Sequence, residues 1–199
     1  VTRFVQLALV VGVLCLTCAG QPVALAPVRH GQVAHAPGPT DFQVYAEHPR
    51  LLLAERRLRL LRRERERKSM RWDQFSALVE GGARMPEPGF SQALYGIVAN
   101  SKGSCDAAFA WATKKANAKL PGDLRQMALV YDWCKPQFSA ESAAALENAL
   151  LPALRLRPRD VLEVRSVVFA SIAVADADPA GAGNILHYVF EDWWRKQIV

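Results

Sequence analysis

Residues 159–179 read RDVLEVRSVVFASIAVADADP. Asp160 and Glu163 are spaced as a capping pair, and after Arg165 the stretch is apolar on every side as far as Ala175. It is too long and too little alternating for a half-buried strand, so it reads as a helix. A helix that is apolar all round must be covered all round. This one is therefore expected at the centre of a helical protein.

The apolar spacing on either side is also helical, and no segment shows sustained alternation. Leu58 and Leu61 begin a stripe that lapses in an Arg/Glu-rich block and resumes at Trp72, Phe75 and Val79, which places a break near Ser69. Helices are expected over about 90–99 and 104–116, with a stop at Asn100 to Gly103 between them. Asp123 can cap a helix containing Met127, Leu129, Val130 and Tyr131, which Pro136 terminates. Ser139 caps the next, with Glu141 in its first turn where the helix dipole favours it. A last helix, over about 183–196, presents Ile185, Leu186, Val189, Phe190, Trp193 and Trp194. The sum is an all-α chain of successive hairpins, which suits a two-layered helical toroid or solenoid better than a four-helix bundle.

The first 26 residues have a basic start at Arg3, an uncharged apolar centre and an Ala-x-Ala exit at Ala24 and Ala26. That is the pattern of a secretory signal peptide, so a periplasmic or secreted location is expected, with the membrane met only through that segment. Residues 27–48, rich in Pro, Gly and His, read as a flexible linker that contains His30 and His35. The helical domain is expected over 49–199. Past the signal, Cys105 and Cys134 are the remaining cysteines. They are either two buried thiols or, in an oxidising compartment, a disulfide. Past the signal there is no Cys-x-x-Cys, nucleophilic triad, phosphate loop or metal cluster, so neither metal nor cofactor is expected.

Charge is unevenly spread. The chain carries a formal +6, and residues 50–71 alone hold ten Lys or Arg against three Glu. Such a block can attract an acidic polymer, and export argues against nucleic acid as that polymer. It can equally be a solvated helix face supported by the i,i+4 pairs Glu55–Arg59 and Glu64–Lys68.

Residues 127–139, MALVYDWCKPQFS, crowd a carboxylate and two aromatics at the end of an otherwise apolar helix. Tyr131, Asp132 and Trp133 are the candidate substrate-binding residues. An aromatic face there could stack on a sugar ring, and the carboxylate could hydrogen-bond hydroxyls or orient a basic residue. In the plainer reading Tyr131 and Trp133 pack in the core, and Asp132 caps or pairs locally with Arg125 or Lys135.

The phrases EHPRLLLAERRLRLLRRE (47–64), RQMALVYDWCKPQFSAES (125–142) and EVRSVVFASIAVADADP (163–179), followed by LHYVFEDWW (186–194), resemble the N-terminal part of secreted bacterial heparinase II/III-like polysaccharide lyases. The resemblance covers about residues 47–199 and implies an α/α toroid followed by a β-sandwich, acting on acidic polysaccharide. It further implies that this chain holds an incomplete toroid and that the catalytic segments lie beyond it. Val189, Phe190, Trp193 and Trp194 are then expected to form an exposed apolar patch. β-Elimination on a uronic acid needs the substrate carboxylate neutralised, a base such as His or Tyr, and an acid for the leaving oxygen. Asn184 and His187 share a helix face, but GNILHYVFEDWW does not reproduce the family's catalytic phrase, so His187 is assigned to helix packing. No catalytic residue is assigned in this chain.

Overall fold

The computed structural model describes residues 33–35, 43–116 and 121–197. The expected signal peptide, 1–26, and His30 lie outside the described residues. The protein is all-α apart from one short ribbon, in which strands β1 (Val33–His35) and β2 (Gln43–Tyr45) pair antiparallel, with Val33 opposite Tyr45. The ribbon lies within the segment expected to be linker. Val44 of β2 is buried with Ala175, Ala182 and Leu186, so the ribbon is held against the helices by apolar packing.

The helices are α1 (Glu55–Glu66), α2 (Met70–Glu80), α3 (Pro88–Ala99), α4 (Lys102–Lys114), α5 (Pro121–Cys134), α6 (Ala140–Leu150), α7 (Val161–Ala173) and α8 (Pro179–His187). A wider π-helical stretch, Tyr188–Trp193, continues α8 into α9 (Trp194–Gln197). Local side-chain chemistry sets most boundaries. Ser69, Ser101, Ser139, Asp160 and Asp178 each accept a hydrogen bond from a backbone N–H in the first turn that follows, which satisfies donors that the helix itself cannot. The Asp160–Glu163 pair caps as expected, with Glu163 reaching back to the N–H of Arg159 at 2.8 Å. Two starts come earlier than the sequence suggested. The α5 helix begins at Pro121, so Asp123 lies within its first turn and pairs with Lys115. In α8, Pro179 at the first position extends the helix back to Asp178, because proline needs no hydrogen-bond partner there.

The sheathed helix is α5. Residues 126–134 are buried without interruption, and α5 packs against α3, α4, α6 and α7. The apolar stretch that had been expected at the centre is covered less completely. In α7, Val161 and Leu162 are exposed, and Val168, Phe169 and Ile172 are half-buried. Helices α3, α5 and α7 are neighbours in a row, with α4 and α6 packed against them, while α8 packs on α7. Close approach is possible where small residues allow it. A Cβ on Gly96 of α3 would stand 2.6 Å from Cys105 Sγ of α4, so glycine is what lets these helices meet. Cys105 is bonded to Cys134, tying α4 to the end of α5. The C-terminal patch is half realised: Val189 and Trp193 are buried, and Phe190 and Trp194 are each 48% exposed.

Candidate functional site

The last turn of α5 answers why a carboxylate sits in the core. Asp132 is fully buried, yet it pairs with neither Arg125 nor Lys135. Its carboxylate accepts from the backbone N–H of Arg50 (3.1 and 3.0 Å), from the N–H of Leu51 (2.8 Å) and from His48 Nδ1 (2.6 Å). The imidazole thus stands between two carboxylates, with Nδ1 on Asp132 and Nε2 turned toward Asp176. Trp133 donates its indole N–H to the carbonyl of Leu51 at 2.9 Å and packs against Phe90. Tyr131 meets the edge of His48, donates to Glu147 at 2.7 Å and lies beneath the Lys135 ammonium. The three residues proposed from sequence therefore stand together, but all are turned inward. What they bind is the protein's own segment His48–Leu51.

That segment brings Arg50 with it. The Arg50 side chain has no exposed surface; it donates to the carbonyls of Ile172 and Ala46 and to Asp176 Oδ1 at 3.3 Å. Asp176 also accepts from Lys135 Nζ at 2.6 Å, and His48 Nε2 stands 3.7 Å from it. Partial burial is the largest influence on the Asp176 carboxyl and works to raise its pKa. His48, Lys135 and Arg50 together outweigh burial and hold the carboxyl well below the usual carboxylate range. Tyr131 is shifted the other way, far above the ordinary phenol value, by burial first and then by its bond to the Glu147 carboxylate.

Outside this buried clasp lies a groove of about 640 Å³. It is lined by Arg56, Arg59 and Arg62 of α1 and by Tyr45, Asn100 and Gln137, and Leu58 and Trp133 are among the buried residues that line it. Glu47 and Glu55 also reach the groove, and Glu55 pairs with Arg59 as the i,i+4 spacing anticipated. Glu64 and Lys68 do not pair, because Lys68 has left the helix with φ of 51°. Two of the block's arginines have a structural task. Arg62 and Arg65 donate to the carbonyls of Ile97 and Val98, which supplies donors to the C-terminal end of α3.

His48, Arg50 and Asp176 were not found from sequence as site residues. Their signal is faint: a His-Pro-Arg phrase at the edge of the linker, and the first charge after the apolar run of α7. Asn184 is exposed and His187 half-buried, both on α8, and His35 lies in β1. Among the described residues no cluster of His, Cys, Asp or Glu is arranged to hold a metal, and no helix is long and apolar enough to cross a membrane. Comparison with family models, with characterised proteins and with solved structures gave no match to this chain.

Proposed function

We propose that the chain is the polysaccharide-binding helical part of a secreted or periplasmic lyase resembling heparinase II/III, whose reaction is β-elimination on an acidic polysaccharide. The observation that carries this reading is the groove beside α1. Arg56 offers a guanidinium group suited to bidentate contact with carboxylate or sulfate, and Arg59 and Arg62 add positive charge beside it while also holding Glu55 and the carbonyl of Ile97. Tyr45 offers an aromatic surface for a sugar ring, and the amides of Asn100 and Gln137 can pair with hydroxyls. The row of α3, α5 and α7 with α4 and α6 against it supports the toroid reading of the architecture. The Cys105–Cys134 bond is consistent with an oxidising compartment.

A second reading, a non-catalytic carbohydrate-binding scaffold, is favoured by one observation. The chemistry needs an open base, and the residues nearest the groove do not present one. Tyr131 is buried with its hydroxyl committed to Glu147, and His48 Nε2 is enclosed beside Asp176. Binding, and not proton transfer, is the task these residues fit.

Immobilised heparin tests the groove. Retention is expected at low salt and should be lost well before roughly 0.5 M, where screening leaves only contacts within about 4 Å. The triple change Arg56→Gln, Arg59→Gln and Arg62→Gln should abolish most of it. No retention of the unaltered chain, or full retention of the triple variant, would refute the groove as the binding site. Ultraviolet absorbance of unsaturated product from heparin, alginate or hyaluronan separates the two readings. We expect none from this chain, and product that His48→Ala removes would place catalysis here.

A further inference from the structure

The basic block has an outward face of which only Arg56 also lines the groove. At 3.6 residues per turn, Arg56, Leu60, Arg63 and Arg67 fall within a sector of about 60°, opposite the buried side of α1 marked by Leu58 and Leu61. All four are exposed. Among the described residues Arg63 and Arg67 meet no carboxylate, unlike Arg59 with Glu55. Glu64 and Glu66 flank the stripe without pairing across it. The rise of a helix puts Arg67 about 16 Å along the axis from Arg56, which is longer than one sugar ring. Arg56 belongs to both surfaces, since it also lines the groove.

We propose that Arg63 and Arg67 form an outer subsite for acidic polysaccharide, continuous with the groove through Arg56. A chain long enough to leave the groove then follows the outer face of α1. The inference rests on the groove binding such polymers, and it adds that affinity grows with chain length. A lipid surface fits less well. An interfacial helix buries an apolar face in the headgroup region, and the apolar face of α1 is turned into the protein, leaving Leu60 as the lone apolar residue of the stripe.

The test titrates the purified chain with a heparin disaccharide, which can fill only the groove, and with a heparin dodecasaccharide, which can leave it. The dodecasaccharide should bind more tightly. Arg63→Gln with Arg67→Gln should weaken it by about tenfold, as expected for two exposed ion pairs, and should lower the slope of log Kd against log salt by about one to two. Disaccharide binding should not change. Arg59→Gln with Arg62→Gln should weaken both ligands. Because the side chains of Arg63 and Arg67 donate to no group among the described residues, circular dichroism should show an unaltered fold. Equal affinity for the two lengths, or a dodecasaccharide indifferent to Arg63 and Arg67, overturns the outer subsite and leaves the groove standing. Binding of neither saccharide overturns the groove itself. Sedimentation with phosphatidylglycerol vesicles that depends on Arg63 and Arg67, without saccharide binding, assigns the stripe to lipid and overturns the proposal.

Discussion

Replacing Asp132 by alanine should be among the most damaging single changes in this protein. The carboxylate is fully buried and is the acceptor for the backbone N–H groups of Arg50 and Leu51 and for the His48 imidazole. Truncation leaves these donors without a partner, at about 1–3 kcal/mol for each donor that water cannot reach. Arg50 N and Leu51 N are the enclosed pair, so a loss of about 3–5 kcal/mol is expected, against a total stability of roughly 5–15 kcal/mol. For a chain of this size that corresponds to a fall in melting temperature of about 10 °C. Urea denaturation should show a lower midpoint, with the slope preserved if the denatured state is unaffected. Asp132→Asn, which keeps one acceptor oxygen, should lose roughly half as much. His48→Ala should lose about 1 kcal/mol from the missing hydrogen bond, plus whatever packing its ring supplies. Hydrogen exchange at Leu51 gives a local readout, since its amide should lose protection in Asp132→Ala before the core amides of α5 do. A stability change below about 0.5 kcal/mol in Asp132→Ala, the range of ordinary surface substitutions, would refute the claim that this carboxylate holds the segment down.

Two further expectations follow from the surroundings of that clasp. Cys134→Ala should destabilise by about 3–4 kcal/mol, as the chain-entropy account predicts for a loop of this length, and the unaltered chain should show no reactive thiol from Cys105 or Cys134 under native, non-reducing conditions; a free thiol there would contradict the bond. Asp176 has its carboxyl pKa depressed in the folded state, so its contribution is present above the ordinary carboxylate range near pH 4 and is lost as pH falls from there toward the folded value; Asp176→Asn should flatten the acid limb of the stability profile, and an unchanged acid limb would show that the charge cluster is thermodynamically silent.

Helix existence was legible because the apolar spacing, the capping residues and the prolines agreed with one another along most of the chain. Ser69, Ser139 and Asp160 caused the expected starts through local bonds that a sequence displays. The centre of the fold was less legible. The stretch in α7 is the more uniformly apolar, but α5 is the one enclosed, because burial depends on what the neighbouring helices cover and not on hydropathy alone. The candidate site was half legible for a related reason. An acidic residue between two aromatics at the end of a buried helix signals that something must satisfy it. The donors proved to be backbone amides of Arg50 and Leu51, more than eighty residues away in sequence, and an amide leaves no mark in the identity of its residue.

The clasp and the groove are coupled by construction. Trp133 borders the groove and fastens Leu51 with its indole N–H, while His48 borders the groove and is held by Asp132. Arg56 and Arg59 begin five residues after this anchored segment, on a helix whose register toward the groove is set where Leu51, Leu53 and Leu58 enter the core. Loss of the Asp132 bonds should therefore loosen one wall of the groove before it unfolds the protein. In Asp132→Asn, below its melting temperature, heparin retention should fall although no arginine has been altered, and it should fall more than in Cys134→Ala, where the change removes the tie to Cys105 of α4 and leaves the Asp132 bonds in place. Equal retention in the two variants would mean that the arginines are placed by α1 alone, through Leu58, Leu61 and the bonds of Arg62 and Arg65 to the end of α3, and that the clasp contributes stability without shaping the groove.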